Sequence, residues 1–257
     1  MKIKVMIELE KIVRYLDDEL RTKEVPDYPR ALNGLQLANN GTVTKVAAAV
    51  DASLPVFKKA ISAGSDLLIV HHGMFWHGAQ KIVDAQYEKL KLAIDANMAV
   101  YSSHIPLDIH EEWGNNVLLA RQIGMNATEK FHPWKGELLG LKQRMDLSFD
   151  ELFVRIQSAL GGDVKCCKGR SAADVGMVGI ITGGAGSEVQ AMADEGIDTF
   201  VTGEGPHWSY PLAEELGINV VYGGHYATET FGVLKLIERL KQKYLLCNYF
   251  VDHPTRL

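Results

Sequence analysis

The chain has 257 residues, of which 47% are hydrophobic and 23% charged, and carries a net charge of -5. That length can bury one large core or two of ordinary size, and no run approaches the about 18 apolar residues with which a helix spans a bilayer, so no membrane-spanning helix is expected. Affinity for a phosphate backbone rests on clustered lysine and arginine, which this acidic chain does not show, so a general nucleic-acid coat is excluded. The opening "MKIKVMIELEKIVRYLDDEL" has no long apolar stretch and soon carries acids, unlike a secretory signal, so the expected location is the cytoplasm. Cys166, Cys167 and Cys247 are odd in number and lack C-x-x-C spacing. They are expected to be small buried or partly buried residues, and any metal must be held by nitrogen and oxygen ligands.

The elements follow in chain order. Leu9, Ile12, Val13, Leu16 and Leu20 recur at helical spacing opposite Glu10, Arg14, Asp17 and Asp18, which predicts an amphipathic helix over residues 7 to 20. Pro26 and Pro29 open a loop that leads to "NGLQL" at Asn33 to Leu37. The apolar run "KVAAAVD" ends in Asp51 and is followed by a helical stretch from about Pro55 to Ala63. A second run, Leu67 to Val70, ends in the pair His71 and His72. Another helix, roughly Ala85 to Ala96, precedes "MAVYSSH" at Met98 to His104. Short apolar strands alternating with helices predict an α/β protein with mostly parallel, helix-covered sheets. Beyond Ala120, "FHPWKGELLGLKQRMDLSFDELFVRIQSALGG" reads as a strand, a helix from about Phe149 and a glycine stop.

The order then repeats. "AGSDLLIVHHGMFW" from Ala63 aligns with "EGIDTFVTGEGPHW" from Glu195, so that Asp66 matches Asp198, Val70 matches Thr202 and His72 falls on Glu204. "NMAVYSSHIPLD" from Asn97 aligns with "INVVYGGHYATE" from Ile218, which matches Tyr101 to Tyr222, His104 to His225 and Asp108 to Glu229. Upstream, "VAAAVDAS" at Val46 has its counterpart in "VGIITGGAGS" at Val178. Three such pairings in one order predict two similar αβ lobes, placed at residues 1–125 and 126–257, which need not fold independently.

Ligands of parallel sheets bind beyond the carboxyl ends of the strands, where His71, His72, His104, Asp108, Glu204, His207, His225 and Glu229 are all expected. His225 and Glu229 are four apart at the start of an apolar-periodic helix and share one face, within reach of one ion or two neighbouring ones. His104 and Asp108 repeat the spacing, although Pro106 argues against a regular helix there. Adjacent His71 and His72 point differently and more naturally serve separate ions, which suggests two metals. A lone histidine after a strand is usually a hydrogen-bonded structural residue; the collection is what points to metal. His77, His110, His132 and His253 lack such support and read as surface or supporting residues. "TGGAGS" at Thr182 to Ser187 lacks the glycine-lysine pattern of a phosphate loop and reads as a tight turn. Trp76 and Trp208 serve as pocket walls or as core.

"NGLQL", "LLIVHHGMFW", "SSHIPLD" followed by "GNN" at Gly114 to Asn116, "VTGEGPHW" and "GGHYATETFG" together resemble the NIF-three-like dinuclear metal-centre proteins, also described as GTP cyclohydrolase 1 type 2 homologues. The resemblance covers nearly the whole chain. It implies two linked αβ lobes with a pair of divalent ions between them, and a homohexamer whose sites face an interior cavity. Carried over by motif, it makes His72 and Asp108 ligands of one ion, His71 and His225 ligands of the other, and Glu229 the bridging carboxylate, with His104 a nearby helper. Some relatives carry a large extra domain between the lobes; the stretch between Ala120 and Val175 leaves little room for one.

Two close ions acidify a bound water and hold an electrophile beside it, so hydrolysis is the expected chemistry, with His104 or Glu204 managing a proton. The substrate is expected to be a small molecule, nucleotide-like or a phosphoester. The alternative is a metal-binding assembly that holds a ligand or partner protein without turnover. Imidazole and carboxylate ligands suit zinc, iron, manganese, cobalt or nickel alike.

Overall fold

The computed structural model describes residues 5–76, 78, 80–127, 129–169 and 174–255. The chain forms two compact α/β units, one of Met1–Leu107 with Gly232–His253, the other of Asp108–Phe231 with Pro254–Leu257. This division departs from the expected 1–125 and 126–257 lobes for two reasons. The C-terminal strand Cys247–Phe250 runs back to pair in parallel with Lys45–Asp51 at the edge of the first sheet. The helix Asn115–Gln122 buries Leu119 and Ala120 against Phe149, Leu152 and Ile156, in the core of the second unit.

The first unit is built on the parallel strands Lys45–Asp51, Leu67–His72 and Ala99–Ser102, edged by antiparallel Gly34–Leu37. Val46 to Val50 and Leu67 to His71 are continuously buried, as expected of strands covered on both faces. Ala47, Ala49, Leu68, Val70 and Val100 pack with Val56, Phe57 and Ala60 of the helix Leu54–Ser62. The helix Leu9–Glu19 buries Leu9, Ile12 and Leu16, the residues whose spacing predicts it.

The second unit centres on parallel Asp174–Ile180, Thr199–Thr202 and Asn219–Tyr222, flanked by antiparallel strands. Successive side chains of one strand serve opposite faces: Val201 packs with Phe149, Leu152 and Ile156, and Phe200 with Val189, Met192 and Ala213. The helix Phe149–Leu160 begins where Ser148 and Glu151 form a reciprocal capping box and ends on Gly161 in the left-handed region. The single strand expected before it is a hairpin, Glu129–Trp134 against Glu137–Ser148, because Lys135 and Gly136 both take the positive φ of a tight turn.

The internal repeat is visible in the backbone of each unit. Asp66 N donates to Lys45 O and Asp198 N to Met177 O, and both carboxylates receive backbone N–H groups of the preceding strand, Asp66 from Thr44 and Lys45, Asp198 from Met177. Beyond that point the sequence alignment slips by one residue. Val70 pairs with Ser102 whereas Thr202 pairs with Tyr222, so Ser102 and not Tyr101 is the counterpart of Tyr222. A one-residue offset exchanges the faces of a strand. The Tyr101 hydroxyl accordingly donates to Asp17 at 2.8 Å, and that of Tyr222 meets Ser209 at 2.8 Å.

All three cysteines are free thiols. Cys167 is buried, which pushes its thiol up to about 11, and Cys166 is half-buried. Cys247 is exposed, contrary to expectation, because it starts an edge strand. Among the described residues no helix is long and apolar enough to cross a membrane.

Candidate metal centre

The strand Leu67–His72 includes both histidines of the pair rather than ending before them. Its two neighbours hold the two rings separately. His71 is fully buried, and its Nδ1 donates to the carbonyl of Ser103, just past Ala99–Ser102, at 2.8 Å. His72 Nδ1 lies 2.8 Å from Asp51, the acid that ends Lys45–Asp51 and pairs with it in register. The third ring, His104, has its Nδ1 2.9 Å from Asp27 of the loop bracketed by Pro26 and Pro29. Each ring therefore has its Nδ1 on an oxygen acceptor, the arrangement that in metal sites fixes the ring and aims Nε2 at the ion. One donor atom from each of His71, His72 and His104 lies within 4.8 Å of the others, close enough to converge on an ion.

Burial alone would raise the Asp27 carboxyl, but the hydrogen bond and charge of His104, with donors from Asn33 and Tyr28, hold it below its ordinary value. The charged Asp27 carboxylate orients the His104 ring through Nδ1. Removing the other carboxylate tether, by Asp51→Ala, is expected to weaken metal binding about 10- to 100-fold, since His72 then loses its fixed tautomer and orientation. Competition against a chromogenic chelator measures the change.

The second unit carries its own donor set at the ends of its parallel strands. His225 opens the short helix His225–Thr228 after Asn219–Tyr222, and the turn brings Glu229, only 2% exposed, to its ring. His225 Nε2 lies 3.2 Å from Glu229 and its Nδ1 2.8 Å from Glu204. Glu204 follows the end of the strand Thr199–Thr202. The glycines of "TGGAGS" and "TGEG" make this packing feasible. Gly183 has φ +70°, and a side chain there would collide with the Glu229 carboxylate. A Cβ at Gly203 would come within 2.8 Å of the His225 backbone. Asp108 is buried, receives Asn115 Nδ2 at 2.8 Å and lies 3.5 Å from the Thr182 hydroxyl. Asn116 accepts from Thr182 N and donates to Leu139 O, so "GNN" supplies one support for Asp108 and one for the turn beside it.

Burial alone would lower the His225 imidazole, but hydrogen bonds and charge from Glu229 and Glu204 push it up to about 9. A pKa raised above its unfolded value adds stability that is complete below pH about 6.5 and is lost as pH rises through about 9. Metal-free protein is therefore expected to melt at falling temperatures across that window, and His225→Asn to flatten the slope, as read by thermal melts in chelator.

His207 and Trp208 are exposed. The His110 ring accepts from Glu112 N and Trp113 N and stacks on Trp113. His132 meets Glu195, and His253 meets Lys59. His77 lies outside the described residues. Asp27 and Asp51 are the site residues that motif reading passes over. An acid ending the strand beside the histidine pair is the one signal that points to Asp51.

Fold and donor sets define the class: a two-unit α/β protein with histidines and acids at the carboxyl ends of parallel strands, grouped so that they could hold a metal ion. The chain belongs to the Duf34/NIF3 (NGG1p interacting factor 3) family, whose pattern matches residues 7–253. A relative from Deinococcus radiodurans named GTP cyclohydrolase 1 type 2 homolog is 35% identical over 250 residues, which cover 96% of this chain and 94% of the relative. Among solved structures, protein ybgI, described as of unknown function, superposes with a TM-score of 0.90 at 31% identity, covering 98% of this chain and all of its own. Reduced HcgD from Methanocaldococcus jannaschii superposes with a TM-score of 0.87 at 27% identity, with 97% and 99% of the two chains covered.

Proposed function

We propose that the protein is a dinuclear metal-dependent hydrolase acting on a nucleotide-like or phosphoester substrate, with His72 and Asp108 ligating one divalent ion, His71 and His225 the other, and Glu229 bridging. The observation that carries this reading is the repeated tethering of the ligand histidines' Nδ1 to oxygen: His71 on Ser103 O, His72 on Asp51 and His225 on Glu204. Structural histidines have no need of a common orientation; metal-ligating ones almost always have this partner. The donor set, imidazole and carboxylate without thiolate, fits zinc, iron, manganese, cobalt or nickel.

Bound divalent ions would acidify a water and polarise the scissile bond. The protein's own part is to aim the donors and to move the proton. His104, with its ring 4.9 Å from His71 and 5.6 Å from His72, is placed to accept a proton at Nε2 while Asp27 stabilises the charge at Nδ1. Glu204 is engaged with His225 Nδ1 and serves to orient that ring. The name shared by the curated relatives supports a ring-opening attack by water on a purine nucleotide within the same class.

The test is turnover by metal-replete protein across purine nucleotides, cyclic nucleotides and phosphoesters. The reading predicts hydrolysis that chelator abolishes and added metal restores; absence of turnover across the panel contradicts it and favours a binding assembly. The homohexamer implied by the resemblance predicts six chain masses by light scattering.

A further inference from the structure

The second unit contains a cavity of about 430 Å³ between the loop that follows Asp108, the helix Asn115–Gln122 and the hairpin strand Glu137–Ser148. Its volume falls in the range of small-molecule sites, and of the proposed metal ligands only Asp108 borders it. Val117, Met125, Leu139 and Leu141 form an apolar wall, against which a hydrocarbon group loses contact with water.

Most of the charges around the cavity are matched within the protein. Asp108 receives Asn115 Nδ2 at 2.8 Å, and Glu111 lies 2.7 Å from Lys130, an ion pair that joins the loop to the hairpin. One cation and one anion are left over. Arg121, in the last turn of its helix, uses one N–H on the Glu112 carbonyl at 3.2 Å and, among the described residues, has no carboxylate partner. The Glu112 carboxylate likewise has no cationic partner among the described residues. Because Arg121 touches the backbone of Glu112, both charges stand at the same end of the cavity.

We infer that this cavity binds a free α-amino acid with an apolar side chain, its carboxylate on Arg121, its ammonium on Glu112 and its side chain against the wall of Val117, Met125, Leu139 and Leu141. An α-amino acid carries both charges on one carbon, next to its side chain, and so matches a cation and an anion at one end of an apolar pocket. A guanidinium holds a carboxylate through two parallel N–H bonds. A plain carboxylic acid would set its charge beside Glu112 uncompensated, and an amine would do the same beside Arg121. The site lies within the second unit and stands apart from the hydrolase reading.

The experiment is calorimetric binding of L-phenylalanine and of three compounds that each lack one of its parts. These are 3-phenylpropionate without the ammonium, phenethylamine without the carboxylate, and glycine without the side chain. Phenylalanine is expected to bind at least about tenfold more tightly than any of the three, since each lost group leaves a charge unmatched or apolar surface wet. Arg121→Gln and Glu112→Gln change exposed side chains and are each expected to lower phenylalanine affinity about tenfold with unchanged melting temperature. A free amino acid also chelates divalent ions, so metal-replete and metal-free protein are compared, and equal affinity is expected of both. Binding that requires the metal, equal affinity for 3-phenylpropionate or phenethylamine, unchanged affinity in either variant, or no binding of phenylalanine overturns the inference. None of these results depends on turnover, which tests the hydrolase reading separately.

Discussion

Glu229→Gln is expected to leave the protein folded and to reduce metal-dependent turnover at least about 100-fold, with loss of part of the bound metal. Partners that merely orient a ligand are worth about 10- to 100-fold in affinity or activity, and a carboxylate that itself meets the metal is worth more. Gln keeps the shape of Glu229 and its hydrogen-bonding oxygen towards His225, now 3.2 Å away, but not the charge that pushes the imidazole up to about 9. The loss is therefore electrostatic, and the melting curve of the metal-free variant identifies it: the stability contributed by charged His225 shrinks. Steady-state rates with elemental analysis of the same sample measure both consequences. Full activity in the variant would remove Glu229 from the site.

Gly183→Ala is expected to be the most damaging single-atom addition near the site. The residue has φ +70°, which an alanine adopts at a cost, and its new Cβ would strike the Glu229 carboxylate, a group too buried to move aside. Strain and overpacking together predict a loss of about 2–5 kcal/mol, with weakened metal binding because Glu229 is displaced. Gly196→Ala is the control, since Gly196 has φ +75° but open space where the Cβ would lie. It is expected to show the backbone strain alone and normal metal content. Denaturant melts and chelator competition on the two variants separate contact from conformation; equal effects would mean that Glu229 is not confined by Gly183.

Much of this architecture is legible in the residues themselves because the signals are local. Leu9, Ile12 and Leu16 give a helical period, and "KVAAAVD" and "LLIV" are apolar enough to be buried on both faces. "LSFDE" carries a cap that Ser148 and Glu151 complete between themselves. The histidines and acids of the two donor sets stand out because they interrupt apolar patterns at strand ends. Partners remote in the chain are less legible. Asp27 reaches His104 across 77 positions, and nothing in "VPDYPR" announces an acceptor for an imidazole. The return of Cys247–Phe250 to the first sheet is equally hidden, since an edge strand is half polar and weakly patterned. The slip of one residue between Tyr101 and Tyr222 arises because matched letters outweigh register, which only the hydrogen bonds of Ser102 and Tyr222 reveal.

Anomalous diffraction at successive metal absorption edges, on crystals of protein never exposed to chelator, tests the dinuclear centre most directly. Two divalent ions per chain are expected, bonded to Nε2 of His71, His72 and His225 and to the carboxylates of Asp108 and Glu229. Well under one ion per chain, or ions bound elsewhere with these side chains hydrogen-bonded only to protein, would contradict it.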